Sequence, residues 1–331
     1  MNLSKVQFQQ LNAKGSTLYM DFVNELEKKQ NKWIEEFVFV MKGYIKKIID
    51  MQEAGLKDEI GYINLSLLRT KLLSGDYHIR LDAYHSGWYI DRVECSDVYV
   101  AQHLYGRLNE MMTLLEGIRK ESFVNFTFGD IQNRFFHECH RYYFIVVDFL
   151  RIAIKEVVKT DEFKKLKRAP IFQISFGEYQ DSSMIIYKED YEPKNATVAK
   201  RHLEAKEDVY THVFYNHLDL SKGKFENLLV MFSSFIGSKF LTTSWYGSKL
   251  LLCEFNTAQF NGTNFDFSEL TELNFTNATF EFASFKGAKL KDITFKNATL
   301  IGIDFSETLL MENVDFVGAT LIDTILSEVQ S

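Results

Sequence analysis

Three cysteines in 331 residues, Cys95, Cys139 and Cys253, are odd in number, far apart and without paired spacing. That excludes a disulfide framework or a zinc ribbon and fits a reducing compartment. Met1 to Asn12 carries polar residues throughout, with no apolar core of signal-peptide length, and no stretch reaches the roughly 18 apolar residues of a membrane span. The expectation is a cytoplasmic protein without membrane contact. Arginine is missing after Arg201, so the second half lacks the side chain best suited to bidentate phosphate recognition. Between Tyr210 and Ser331 there are 14 Asp and Glu against 8 Lys, which makes −6 of the chain's total of −7. Direct nucleic-acid binding is not expected from such a surface. Gly-rich phosphate loops, nucleophile elbows, HExxH helices and dinucleotide fingerprints are also missing. No catalytic residue and no cofactor is therefore nominated.

Against these absences stand 30 phenylalanines, crowded into the second half at a fixed spacing. From Leu220 through Phe225, Val230, Phe235, Phe240 and Trp245 to Leu310, every fifth residue is large and apolar. One extra residue then shifts the phase, implying a bulge or loop, and the series resumes at Phe316, Leu321 and Leu326. Two residues before each centre lies a small or apolar residue, as at Cys253, Ala258, Thr263, Leu273, Ala278, Ala283, Ala288, Ile293, Ala298 and Ile303. The other three positions carry turn-forming and charged residues. A period of five fits neither a helix nor a continuous strand, so the backbone must turn a corner in each unit.

Four sides per coil would stack every twentieth residue. The columns sort accordingly: Val230, Leu250, Leu270, Leu290, Leu310; Phe235, Phe255, Phe275, Phe295; Phe240, Phe260, Phe280, Leu300; Trp245, Phe265, Phe285, Phe305. The structural core ladder is expected to run through these centres from Leu250 to Leu310. At about 4.8 Å per coil, some 5.5 coils make a rod of roughly 26 Å.

The units Ala278-Thr279-Phe280-Glu281-Phe282 and Ala288-Lys289-Leu290-Lys291-Asp292 resemble the pentapeptide-repeat family, strongly over Cys253 to Leu310 and more weakly over Leu218 to Leu250. The resemblance implies a right-handed quadrilateral β-helix. It also implies protein partners, because some bacterial members mimic the shape and charge of duplex DNA, bind DNA gyrase or topoisomerase IV, and dimerise through their C-terminal ends. The tail from Ile322 to Ser331 either caps the last coil or leaves it for a homodimer to cover.

The first part resembles no family. Leu18, Phe22, Leu26, Trp33, Phe37, Val40, Ile45 and Ile49 recur at helical spacing and predict a long helix from Ser16 to Ala54, broken near Gln30 and closed by Gly55. Tyr77 to Tyr84 and Trp88 to Val93 read as paired strands, Ser96 or Asp97 as the start of a second helix to Arg119, and Asp130 to Lys159 as a third, capped by Asp130. Ile171 to Phe176 and Met184 to Tyr187 read as a hairpin. The expected organisation is a mainly α-helical (α+β) domain over 1–190, a charged linker over 191–212 and the β-helix over 213–331.

His137, Cys139 and His140 are the one cluster with metal-ligand character, yet a structural zinc needs four ligands, and ordinary helix packing is the preferred explanation, so no metal is expected. His202, His212 and His217 lie around the entry to the solenoid, where they are either a pH-sensitive junction or exposed side chains. Tyr84, His85, Trp88 and Tyr89 put aromatic and polar groups beside a turn, which core packing also accounts for. Lys286, Lys289, Lys291 and Lys296 form a basic cluster that is either a partner surface or structural, with Lys291 and Lys296 pairing with Glu272 or Glu312 one coil away. These readings favour a non-catalytic interaction or scaffold protein. The alternatives are a DNA mimic that binds gyrase, and an enzyme or small-molecule sensor in the first domain, which would need a polar pocket between the Tyr77 to Val93 strands and the helices.

Overall fold

The computed structural model describes residues 5–121, 126–179, 181–207 and 209–326. It divides into two compact units, Met1–Tyr191 and Glu192–Ser331.

The first unit opens with a 49-residue helix, α1 (Lys5–Glu53). Its buried stripe, Leu11, Leu18, Phe22, Trp33, Phe37, Met41, Tyr44, Ile45 and Ile48, runs on past Gln30. The expected break is absent because no Pro or Gly interrupts that stretch and the stripe resumes at Trp33. Then follow β1 (Ile60–Leu67), α2 (Arg69–Leu73), β2 (His78–His85), β3 (Ser96–Val100), α3 (Gln102–Tyr105), α4 (Leu108–Glu121), α5 (Phe128–Val157), α6 (Asp161–Lys165), β4 (Arg168–Glu178) and β5 (Ser183–Asp190). The five strands form one sheet in the order β3-β2-β1-β4-β5, with β1 parallel to β4 and all other pairs antiparallel.

Three further sequence expectations fail here. Ser96–Val100 is not a helix start but a strand, since β2 offers it an open edge and Val98, Tyr99 and Val100 suit a pleated surface. Trp88 to Val93 is not a strand: Trp88–Ile90 is a single 3₁₀ turn. The Asp91 carboxylate holds that loop, accepting from the backbone of His85 at 2.8 Å and Val93 at 3.0 Å and pairing with Lys57 at 2.7 Å. The α5 helix begins with Thr127 rather than Asp130 as its cap; Asp130 returns the bond from the third helical position, closing a capping box.

Alternation decides the sheet's two faces. Ile63 and Leu65 of β1, Ile79, Leu81 and Ala83 of β2, and Phe172, Ile174 and Phe176 of β4 enter the apolar core with α1, α4 and α5. The intervening positions carry Asn64, Ser66, Arg80, Asp82 and Ser175, where Asn64 accepts from Ser175 at 2.8 Å and Arg80 pairs with Asp82 at 2.8 Å. The α1–α5 packing encloses a charge network: Glu138, fully buried, accepts from Arg134 at 2.7 Å and Arg141 at 3.1 Å. Gly15 makes room for it, because a Cβ there would lie 2.7 Å from the carboxylate.

The second unit begins with α7 (Ala196–Glu204), capped by the Asn195 side chain. Part of the segment expected as a linker is thus a helix, with Ala199 and Leu203 buried in the solenoid core. The Tyr210 hydroxyl ties it down, donating to His202 and accepting from the Glu207 backbone. Beyond it lie about six coils with short parallel strands: β6 (Tyr210–Thr211), β7 (Leu229–Met231), β8 (Lys249–Leu251), β9 (Gln259–Asn261), β10 (Glu269–Thr271), β11 (Thr279–Glu281), β12 (Lys289–Thr294), β13 (Thr299–Ile301), β14 (Leu310–Asp315) and β15 (Thr320–Ile322). They stack as two parallel sheets, β14-β12-β10-β8-β7-β6 and β15-β13-β11-β9. Register advances by twenty residues, as in Leu250↔Leu270 and Phe260↔Phe280.

Candidate interaction faces of the solenoid

Each five-residue unit of the solenoid places one large side chain in the core. The first side is centred on Tyr210, Val230, Leu250, Leu270, Leu290 and Met311, the second on Phe235, Phe255, Phe275, Phe295 and Phe316. The third is centred on Leu220, Phe240, Phe260, Phe280 and Leu300, the fourth on Phe225, Trp245, Phe265, Phe285 and Phe305. On the second side the rings stack at 5.0–5.3 Å from Phe235 to Phe316. All these centres from Leu220 to Phe305 are at most 1% exposed. Fully burying one such side chain contributes roughly 1.5–3 kcal/mol.

Leu310 is the exception among the expected ladder residues. It is 43% exposed and pairs with Lys289, while Met311 takes the place beneath Leu290. The extra residue thus enters one step earlier than the sequence indicated: Leu309 and Leu310 both direct their N–H at the Ala288 carbonyl, at 2.8 and 3.4 Å, and bulge outward.

The second inward set takes hydroxyls as well as apolar side chains. Ser238, Ser248 and Thr263 are buried and donate to the carbonyls of Tyr215, Phe225 and Phe240, in the coil before, at 2.6, 2.7 and 2.5 Å. Cys253 occupies the same position, and burial pushes its thiol up to about 12. It is a packing residue, not a reactive one.

The corners carry the exposed chemistry. Two residues after nearly every centre φ is positive, at Asn227, Asn277 and Asn297, at Gly237, Gly247, Gly262, Gly287 and Gly302, at Lys222, Thr242, Thr257, Glu272 and Asp292, and also at Phe232, Leu252, Phe267 and Phe282. Asn and Gly tolerate this conformation; bulky residues seldom adopt it. Phe267 is 53% exposed and Phe282 72%. Each ring lies across a glycine one coil on: a Cβ on Gly287 would be 2.7 Å from the Phe267 ring, and one on Gly302 2.6 Å from Phe282. Phe282 precedes and Phe267 follows the fourth side, on which Tyr246 meets Phe267 edge-on at 5.5 Å. A sequence signal for these residues existed, since they are phenylalanines out of phase with the series.

Three of the four lysines of the basic cluster are paired between coils. Lys286 meets Glu307 at 3.0 Å, Lys289 meets Glu269 at 3.1 Å and Lys291 meets Glu312 at 2.9 Å; Lys249 reaches Glu269 from the other side at 2.9 Å. These two lysines hold the Glu269 carboxyl below its ordinary value. Lys296 has no ion pair among the described residues.

The other candidates separate. His137 is 64% exposed while Cys139 turns into the core and His140 lies against Tyr143 and Phe144. No group of three or more potential ligands gathers among the described residues. His202 bonds the Tyr215 hydroxyl at 2.7 Å and His212 stacks on Phe232. His85 accepts the Gly87 N–H at 2.7 Å within its turn, and Tyr84, Trp88 and Tyr89 pack on one another and on Tyr62. At the C-terminal end Leu321, Ile322, Ile325 and Leu326 are 40–55% exposed. The tail expected as a cap continues over 327–331, outside the described residues. No helix among the described residues is long and apolar enough to cross a membrane.

Comparison with known proteins agrees with this geometry. The family model for pentapeptide repeats matches residues 253–292 and 288–328, in eight copies. No curated protein matches the chain. Among solved structures, a pentapeptide repeat protein of the Arabidopsis thaliana thylakoid lumen is 21% identical, over 36% of this chain and 75% of that one, with a TM-score of 0.27. The pentapeptide repeat protein Rfr23 of the cyanobacterium Cyanothece is 14% identical over 37% and 85%, with a TM-score of 0.23. QnrB1, a plasmid-mediated fluoroquinolone resistance protein, is 14% identical over 36% and 92%, with a TM-score of 0.15. Residues 1–252 lie outside the family match, and the coils over residues 253–328 are pentapeptide repeats.

Proposed function

We propose that this is a non-catalytic protein-binding scaffold whose solenoid meets its partner through the fourth side and the aromatic corners that flank it. The observation that carries the reading is Phe267 and Phe282, both large, both at positive φ, both exposed. A left-handed conformation costs roughly 1–2 kcal/mol at a residue with a Cβ, and the contact each ring makes with a glycine one coil on leaves more than half of the residue exposed. Aromatic side chains of this kind are the usual anchors of protein interfaces. Tyr246 enlarges the patch, and Asp266 and Lys286 supply both signs of charge beside it. The exposed apolar residues of the last coil offer a further surface for a partner or a second copy.

The first unit fits a scaffold as well. Ile79, Leu81 and Ala83 of β2 are packed into the core, and the polar pocket that opens at Tyr77 against α4, lined by Ser74, Gly75, Asn109 and Thr113, has about 280 Å³, below the roughly 300–1,000 Å³ of small-molecule sites. A DNA mimic directed at gyrase or topoisomerase IV is the other reading that the resemblance raises, but a continuous acidic track would serve it better than this surface. Here Glu269, Glu307 and Glu312 are each matched to a lysine.

The test compares wild type with the double variant Phe267→Ser, Phe282→Ser in affinity capture from lysate of the source organism, with quantitative mass spectrometry. Proteins retained by wild type and lost by the variant, whose unfolding midpoint is unchanged, support the reading. Identical retention by both would sink it. A gyrase supercoiling assay on the same samples, with and without a quinolone, decides the DNA-mimic alternative.

A further inference from the structure

The outer face of α1 carries charges in mirrored order. Lys32, Glu35, Glu36 and Phe39 precede Met41 by nine, six, five and two residues; Asp50, Lys47, Lys46 and Gly43 follow it by the same steps. All eight are exposed, and spacings of three and four keep them on one face of the helix. Two such helices laid antiparallel, with a twofold axis level with Met41, set Lys32 against Asp50, Glu35 against Lys47 and Glu36 against Lys46. The same placement sets Phe39, 78% exposed, against Gly43, where no atom lies within 4 Å of an added Cβ. Opposite charges face each other at every charged position, and the one large apolar side chain meets the one position without a side chain.

A second feature adjoins this face. The groove of about 440 Å³ between α1 and β3 is lined by Glu35, Glu36, Phe39, Val40, Val98, Tyr99 and Val100. β3 is the sheet's edge strand, with Val98 47% and Val100 57% exposed. The Cys95 carbonyl and the Ala101 N–H turn inward, to Ala83 and Tyr77, so by alternation the backbone groups of Ser96, Val98 and Val100 turn outward. Natural edges of this kind are usually covered. Lys47 caps the Ser96 carbonyl at 2.6 Å and Asp97 the Val98 N–H at 2.8 Å, and no such cover lies over Val100 among the described residues.

We propose that the occupant of this surface is a second copy of the chain, docked antiparallel with α1 beside α1 and the two β3 edges next to each other. The twofold arrangement is isologous: the same patch serves both copies. It rests on the first unit alone and is independent of the solenoid's role.

Sedimentation velocity of the full chain over a concentration series, with two charge-reversed variants, tests it. Wild type should dimerise. Glu35→Lys with Glu36→Lys, and separately Lys46→Glu with Lys47→Glu, should each weaken self-association at least about tenfold through like-charge contact. Mixed, the two variants should form a heterodimer, since every charged pair is then opposite again. Phe39→Glu should also weaken the dimer while leaving the circular dichroism spectrum unchanged. A wild type that stays monomeric, a dimer indifferent to the reversals, or a mixture that fails to associate would each overturn the proposal.

Discussion

The two units hold their cores together in opposite ways. In Met1–Tyr191 the decisive contacts join residues far apart in sequence and occur once: Glu138 beneath Gly15, Lys57 on Asp91, Gln52 bonding the Lys167 carbonyl at 2.8 Å. In the coils of Glu192–Ser331 most contacts are copies of their neighbours, twenty residues on, up to the one-residue insertion at Leu310. A one-off contact has no substitute when removed. A repeated one is supported by the coils on either side, and its loss is expected to spread only to those neighbours.

The sharpest test of the one-off mode is Lys57→Met. The Lys57 and Asp91 side chains are 1% and 2% exposed, so the variant leaves a buried carboxylate without its counter-charge. A loss of about 3–5 kcal/mol is expected in denaturant unfolding followed by tryptophan fluorescence. Burial alone would raise the Asp91 carboxyl; Lys57 and the His85 and Val93 N–H groups outweigh it and hold the carboxyl below its ordinary value. A depressed folded-state value means that this stability is present above the unfolded Asp range and is lost as pH falls through the folded one. An acid titration of unfolding should show that loss in wild type and a smaller one in the variant.

The repeated mode is tested by Phe275→Ala in the middle of the second side. The cavity should cost about 3–5 kcal/mol. Amide hydrogen exchange should show the loss in the coils holding Phe255 and Phe295, with protection near Tyr210 unchanged. Uniform loss across both units would refute the nearest-neighbour picture. A smaller effect, about 1–2 kcal/mol, is expected for Gly287→Ala, which places a Cβ at φ +65° and against the Phe267 ring. Adding Phe267→Ala should recover the steric part and leave the backbone part, a difference readable as a double-mutant cycle in thermal unfolding. Smallest of all, Glu269→Gln should cost no more than about 1 kcal/mol, and less in high salt, because its lysine pairs are exposed.

The same contrast governs what could be read in advance. The solenoid announced itself because burial at every fifth residue is a local pattern repeated until it cannot be chance, and the columns of Phe and Leu followed from stacking alone. The reading slipped at Leu310, where one inserted residue leaves two adjacent candidates, Leu310 and Met311, for the same inward place. In the first unit the long helix was legible from its stripe, and the break expected near Gln30 is absent. Ser96–Val100 was misread because five residues fit either a helix start or a strand; the open edge of β2 decided between them. His137, Cys139 and His140 do not share one face, since residues two apart on a helix point to different sides and only Cys139 faces inward.

By itself the sequence determined the period, the number of sides and most of the side chains that fill the coil, because each of these depends on spacing along the chain. Tertiary structure alone decided which edge strand is left open, which charges are matched across coils and which rings remain outside. Those outcomes depend on distances between residues that the chain order keeps apart, and only folding brings Gly15 to Glu138 or Phe267 to Gly287.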